Sequence, residues 1–183
     1  MLKKSFHLIN FVLMSLCYVF LEEEEEEDGG ESKKVHEIDL LDFNKNFPQL
    51  CVYDLDVDGN AHVQVIEYEP GIFKAIRDLN NIEPATFFKS FAPSLNYQGI
   101  FNFFTGTGKS SSLFFFTDNK TYVVKTLKED EKSLLLDSTL IRNYYLHMKE
   151  NPNSMLSKFF GVYTIRPPMM NELHVIIMDN IVG

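Results

Sequence analysis

The spacing of apolar residues changes along the chain and predicts where helices give way to strands. Residues 62–68 start with apolar and polar positions in alternation and are rich in β-forming residues, which favours a strand. From Pro70 the apolar residues recur at helical spacing, so we expect a helix that ends at Asn80 and carries Arg77 on its polar face. A second helix is predicted over residues 84–91.

Beyond residue 100 the apolar residues are arranged as in strands. The predicted order is three strands, one long helix from Asp130 to Glu150, and two last strands. These strands cover residues 101–104, 113–116, 121–127, 159–166 and 173–178. This order predicts an α+β fold in which helices flank a five-stranded antiparallel sheet.

The first 34 residues differ in character from the rest. Residues 1–21 hold two lysines and then an apolar stretch, residues 5–21, which would span about 25 Å as a helix, short of a bilayer core of about 30 Å. Three interpretations stay open: a signal peptide or membrane anchor, an amphipathic or buried helix, and a translated artefact of an incomplete gene model. Residues 22–34 are acidic and predict a solvated linker, which leaves residues 35–183 as the main domain.

Charge and cysteine content exclude several classes of function. The net charge is −9, but the run over residues 22–31 holds eight acids, and the rest of the chain has 18 acids against 17 Lys plus Arg. A near-neutral domain of this kind offers no broad basic face for nucleic acid. Cys17 and Cys51 are the only cysteines and belong to no ligand cluster, so we expect no metal site, no disulfide framework and a reducing compartment.

A glycine-rich segment over residues 105–112 is the first candidate for nucleotide chemistry. It includes Gly106, Gly108, Lys109 and Ser110. Glycines let backbone amides approach phosphate, and a lysine offsets its charge. The segment is not a Walker A motif, because Phe103 stands where that motif needs a glycine and a strand follows instead of a helix. A glycine-rich turn between two antiparallel strands is how protein kinases cover ATP, although most such turns are ordinary hairpins.

Lys125 is the second candidate, because it lies within an apolar strand 17 residues after Gly108. A lysine in this setting is costly unless its ammonium meets an anion, and kinases use such a lysine to hold phosphates, supported by a glutamate of the next helix. The alternative is a lysine of an edge strand that reaches water. Glu129 and Glu131 both start the following helix, and we prefer Glu131 as the partner. No ligand or base role is assigned to His174 or to the other histidines.

Several segments in order resemble one known family. They are Tyr68–Phe73 with Ile76-Arg77, Ile82–Ser90, Gly108-Lys109-Ser110 with Phe114–Thr117, Val124-Lys125-Thr126, Tyr144-Tyr145, Asn151–Leu156 with Lys158–Tyr163, and Val175–Ile181. Over about residues 62–183 this chain is similar to the amino-terminal lobe of the phosphatidylinositol phosphate kinases. The stretch from Asn151 to Tyr163 is the strongest single match.

The resemblance implies a kinase-like amino-terminal lobe that uses ATP and Mg²⁺. Gly106, Gly108, Lys109 and Ser110 would cover the phosphates, Lys125 with Glu131 would hold them, and Met178 and Asn180 would lie near adenine. The substrate would be a phosphoinositide, phosphatidylinositol 4-phosphate converted to the 4,5-bisphosphate. The protein would be cytoplasmic and peripheral to the plasma membrane, with residues 5–21 as a possible anchor.

Two departures from the family pattern qualify that expectation. Ser133 stands where an acid is expected, and the helix before Tyr144 is about two residues longer than usual. The sequence also ends at Gly183, near the hinge between the lobes, whereas the carboxylates for phosphoryl transfer and for Mg²⁺ come from the second lobe in this family. No catalytic residue is therefore assigned, and we expect an inactive fragment with an exposed sheet face, open to a dimer partner or to the missing lobe. The alternative is a pseudokinase-like module that binds nucleotide or a partner without catalysis.

Overall fold

A computed structural model describes residues 9–20, 50–57, 61–103 and 112–181. Helix α1 lies within residues 9–20. The elements that follow are β1 (Leu50–Val57), β2 (Ala61–Tyr68), α2 (Pro70–Leu79), α3 (Pro84–Lys89), α4 (Pro93–Phe103), β3 (Phe114–Phe116), β4 (Tyr122–Leu127), α5 (Glu129–Leu135), α6 (Ser138–Glu150), β5 (Phe159–Arg166) and β6 (Leu173–Asp179). The fold is α+β, as the sequence predicts.

The sheet is antiparallel throughout, but it has six strands in the order β1-β2-β5-β6-β4-β3 instead of five. The predicted strand over residues 101–104 is wrong, because residues 101–103 are the end of α4. A short apolar run without clear periodicity does not distinguish a strand from a helix. The sheet gains two strands: β2, which the sequence predicts as a strand outside the five, and β1, which pairs with β2 along its whole length. In β1 the acids Asp54 and Asp56 alternate in sequence with Tyr53 and Leu55, as in a strand.

The helices differ from the prediction at three places, the first of which is α4, a helix that the sequence does not predict. The helix expected from Asp130 to Glu150 is divided into α5 and α6, because the Asp137 carboxylate accepts hydrogen bonds from the backbone N–H groups of Thr139 and Leu140 at 3.0 and 3.1 Å and starts a new helix. Arg77, expected on the polar face of α2, is buried.

Arg77 is buried because it follows Phe73 by one helical turn and so belongs to the apolar stripe of α2. Its guanidinium donates to the Phe160 carbonyl at 2.8 Å and lies 5.4 Å from the centre of the Phe87 ring. These contacts fix α2 and α3 to the strand β5.

Helix α1 packs into the same core as the sheet. Leu13, Leu16 and Phe20 are fully buried, and the Phe20 ring contacts the rings of Phe87 and Phe88 with centroids 5.3 and 4.7 Å apart. This packing matches the buried-helix alternative for the amino-terminal apolar stretch. Among the described residues, no helix is long and apolar enough to cross a membrane.

Candidate functional site

The two faces of β4 have different neighbours, and Lys125 lies on the face away from α1. Val124 and Thr126 point toward α1, where they line a small apolar cavity with Leu13. Since side chains alternate along a strand, Lys125 points to the opposite face, where its side chain is 25% exposed. β4 is hydrogen-bonded to β3 on one side and to β6 on the other. The edge-strand alternative for Lys125 therefore does not apply.

Lys125 lies beside exposed apolar surface on the edge strand β3. Phe114 is its cross-strand partner, with the Lys125 Nζ atom 5.8 Å from the ring centre. Phe114 and Phe116 are 37% and 40% exposed, large values for phenylalanine. A half-buried cation next to exposed aromatic surface is an arrangement that accommodates a ligand with both anionic and planar apolar parts.

Glu131 is the acid that the structure places beside Lys125. Its Oε1 atom lies 3.5 Å from Lys125 Nζ, and its Oε2 atom accepts a hydrogen bond from the Lys128 N–H at 2.8 Å. That backbone hydrogen bond, followed by the charge of Lys125, lowers the pKa of Glu131. Because the pair is partly exposed, its contribution to stability is small, and what it provides is a fixed position for the ammonium.

Glu129, the other candidate partner, contacts different residues. Its carboxylate lies 2.8 Å from Lys132 Nζ and 2.8 Å from His174 Nε2. His174 is buried in β6, and sequence reasoning gave it no role. The available sequence signal was a histidine between the apolar residues Leu173 and Val175. The pairing of β4 with β6 places this histidine on the same sheet face as Lys125.

Glu129, Glu172 and His174 place one potential ligand atom each within 4.8 Å of one another. However, Glu129 already pairs with Lys132, and Glu172 pairs with Arg166 at 3.0 Å. Carboxylates neutralised by cations are poor metal ligands, so we assign no metal to this group.

Met178 and Asn180 lie at the end of β6, next to β4. Met178 is opposite Val123 and shares the sheet face of Lys125. Asn180 donates its backbone N–H to the Thr121 carbonyl at 2.9 Å and its side-chain amide to the Lys120 carbonyl at 2.7 Å. These bonds hold the chain after β6 against the turn between β3 and β4.

The glycine-rich candidates, Gly106, Gly108, Lys109 and Ser110, lie outside the described residues. The described residues before them correct one expectation: residues 101–103 are the end of the helix α4 and not the predicted strand. The far end of the glycine-rich segment is fixed close to Lys125. Leu113 donates its N–H to the Thr126 hydroxyl at 2.8 Å and accepts the Thr126 N–H at 2.9 Å.

The comparisons with known proteins agree on one family. Residues 95–183 match the family model described as Phosphatidylinositol-4-phosphate 5-Kinase. A protein named a probable phosphatidylinositol phosphate kinase from Dictyostelium discoideum is 35% identical over 116 residues, which cover 63% of this chain and 16% of the relative. A phosphatidylinositol 4-phosphate 5-kinase of Schizosaccharomyces pombe is 29% identical over 136 residues, 70% of this chain and 18% of the relative.

A phosphatidylinositol 4-phosphate 5-kinase of Plasmodium falciparum matches over 162 residues at 28% identity, 80% of this chain and 9% of the relative. These similarities confirm the resemblance to the phosphatidylinositol phosphate kinase family found in the sequence. The chain spans less than a fifth of the length of these relatives.

Proposed function

We propose that residues 35–183 form the ATP-binding half of a phosphatidylinositol phosphate kinase domain. The observation that carries this proposal is the contact of 3.5 Å between Lys125 Nζ and Glu131 Oε1 on the sheet face away from α1. A strand lysine supported by a glutamate of the next helix is the arrangement with which kinases hold nucleotide phosphates. In this chain the two residues come together within the segment that matches the family model.

The residues around Lys125 would suit a nucleotide, because they combine a cation with exposed aromatic surface. The ammonium supplies the cation for phosphate, while Phe114 and Phe116 offer exposed apolar surface beside it. ATP would supply the phosphoryl group for transfer. We assign no Mg²⁺ ligand within this chain and propose that the Mg²⁺ ligands belong to the second lobe of the family.

The remaining site residues complete the proposal. Gly106, Gly108, Lys109 and Ser110 would lie over the phosphates, because Leu113, at the end of their segment, is hydrogen-bonded to the residue next to Lys125. Met178 and Asn180 would lie near adenine, since the end of β6 borders the Lys125 face.

At the level of the family, we propose the ATP-dependent phosphorylation of phosphatidylinositol 4-phosphate to the 4,5-bisphosphate at the cytosolic face of the plasma membrane. Relatives of this chain carry the name phosphatidylinositol 4-phosphate 5-kinase. The 183 residues by themselves would bind nucleotide without transferring phosphate, because the carboxylates for transfer are expected from the second lobe. That lobe, or a second copy of the chain, would cover the sheet face away from α1.

The second candidate function is a non-catalytic, pseudokinase-like module, favoured by Ser133 at a position where an acid is expected. Two measurements on the 183-residue chain separate the candidates. Calorimetry with MgATP tests the nucleotide site, and joining the chain to a second lobe from a relative tests whether it supports phosphorylation of phosphatidylinositol 4-phosphate in vesicles. Binding together with phosphorylation supports the kinase, and binding without phosphorylation supports the module.

A further inference from the structure

Helix α5, which carries Glu131, is not anchored by buried side chains. It is seven residues long and contains no buried residue. Near its carboxyl end, Leu135 and the adjacent Leu136 pack partly against the core. Its first turn, where Glu129 and Glu131 lie, depends on polar contacts with the sheet, so the position of Glu131 needs another explanation than core packing.

The shorter of the two acidic contacts joins Glu129 to His174. Glu129 Oε2 lies 2.8 Å from His174 Nε2, and the His174 side chain is only 9% exposed. On the other side of the ring, Nδ1 lies 2.8 Å from the hydroxyl of Thr164, which is itself buried. The Thr164 hydroxyl lies 2.9 Å from the Tyr68 hydroxyl.

These distances allow one consistent chain of donors when His174 is neutral. The Tyr68 hydroxyl donates to Thr164, the Thr164 hydroxyl donates to Nδ1, and the Nε2–H group of His174 donates to Glu129. The hydrogen bond at Nδ1 thus fixes the tautomer of His174 and directs its Nε2–H group toward Glu129. Lys132, also from α5, lies 5.4 Å from the centre of the Tyr68 ring and adds a second contact to the same strands.

Both acidic contacts with the sheet come from the first turn of α5. His174 pairs across the strands with Leu127, and Lys125 pairs with Ile176, so His174 and Lys125 lie on one face of neighbouring strands, offset by two residues. Glu129 and Glu131 are also two residues apart, and they contact His174 and Lys125 respectively. Because both carboxylates belong to one short turn, fixing Glu129 on His174 limits where Glu131 can lie.

We propose that His174 is a positioning residue, which fixes the first turn of α5 through Glu129 and so keeps Glu131 within reach of Lys125. The inference rests on the proposed function of Lys125 and Glu131, but the arrangement of the pair can be measured without nucleotide. His174 touches no substrate in this account and acts through the helix alone.

The test follows the ionisation of the Glu131 carboxyl carbon by NMR in the 183-residue chain. Lys125→Met removes the partner cation and is expected to raise the pKa of Glu131 toward its ordinary range. His174→Ala is expected to raise it in the same direction, and the double variant is expected to add no further rise, because both changes break one contact. His174→Gln, which keeps a donor for Glu129, is expected to restore the titration of the unmodified chain.

The matched control is His147→Ala, since His147 hydrogen-bonds Ser154 and lies on α6. It should leave the Glu131 titration unchanged. If His174→Ala does not fold, Glu129→Ala removes the same contact at an exposed position. Losing the negative charge of Glu129 would by itself lower the pKa of Glu131, so a rise in that variant reports the lost Lys125 contact.

MgATP affinity on the same variants separates this inference from the proposed function. We expect His174→Ala to bind MgATP about two- to fivefold more weakly, as for loss of one exposed ion pair. If the unmodified chain binds no MgATP but the Glu131 titration responds to His174, the nucleotide site is refuted and the positioning role stands. An unchanged Glu131 titration in folded His174→Ala overturns the positioning role whatever the affinity.

Discussion

The buried ring of Tyr163 lies directly over Gly161, two residues earlier in β5. A Cβ atom built on Gly161 would come within 2.5 Å of Tyr163 Cε2 and 2.6 Å of its hydroxyl oxygen. The strand is irregular at this point, with a shift in register between Phe159 and Gly161 against β6. The Tyr163 hydroxyl also donates to the buried Glu67 carboxylate at 3.1 Å, so the ring has little freedom to move away. Gly161 is therefore required by packing, within the stretch that most resembles the kinase family.

Gly161→Ala is expected to destabilise the fold by about 1–3 kcal/mol, the usual cost of overpacking a filled core. Urea denaturation measures the change. The matched control is Gly99→Ala in α4, where a Cβ would meet its nearest neighbours at 3.7 Å and alanine favours the helix. Equal stability of the two variants would contradict the packing role of Gly161.

Leu13→Ala tests whether α1 belongs to the core. Leu13 is fully buried, so its truncation is expected to cost about 2–5 kcal/mol of unfolding free energy. Tyr18→Ala, on the same helix but 44% exposed, is expected to cost less than about 1 kcal/mol. If both variants unfold like the unmodified chain, α1 does not pack as described.

Asp137→Ala removes the cap that separates α5 from α6. Two backbone N–H groups lose their acceptor, and the expected cost is about 0.5–2 kcal/mol in thermal or chemical unfolding. Asp137→Asn keeps an acceptor oxygen and is expected to retain most of the stability. A larger loss in the asparagine variant than in the alanine variant would argue against capping.

His174 is expected to make stability depend on pH. Burial of the ring has the largest effect and lowers the pKa of His174, and the positive charges of Lys132 and Arg166 lower it further. The negative charges of Glu129 and Glu172 raise this pKa but do not outweigh the burial. The unfolded chain, with an ordinary histidine pKa of about 6.5, binds the proton more readily than the folded one. Stability is therefore fully present above about pH 6.5 and falls as the pH drops through the lowered pKa.

Denaturation at a series of pH values measures this dependence, and His174→Gln should flatten it in the range above the titration of the carboxylates, near pH 4. Because four charged groups surround the ring, the comparison is made at constant ionic strength. A pH dependence that is unchanged in the glutamine variant would place its origin at another residue.

Local patterns predicted much of the fold, and they failed where two patterns overlap. Pro70 and Asn80 marked both ends of α2 correctly, since each acts through its own backbone. The strand expected at 101–104 failed because four residues carry too little periodicity to distinguish a strand from the end of a helix. Arg77 looked solvent-exposed by its charge alone, although its spacing from Phe73 places it on the buried stripe.

At the candidate site, too, some residues could be found from sequence and others could not. Lys125 could be found from sequence because a lysine among apolar strand residues is unusual. Glu131 could be preferred over Glu129 but not separated from it, since both lie in the first turn of α5. The role of Glu129 depends on His174, which is 45 residues away in sequence and is brought close only by the pairing of β4 with β6.

Calorimetry of MgATP binding to the 183-residue chain tests the central claim most directly. The whole chain is used because α1 contributes to the core. Lys125→Ala removes the proposed phosphate ligand, and Lys89→Ala, at an exposed position on α3, is the charge-matched control. We predict that the unmodified chain and Lys89→Ala bind MgATP and that Lys125→Ala does not. Absence of binding by the unmodified chain, or equal binding by all three, would contradict the assignment of a nucleotide site at Lys125.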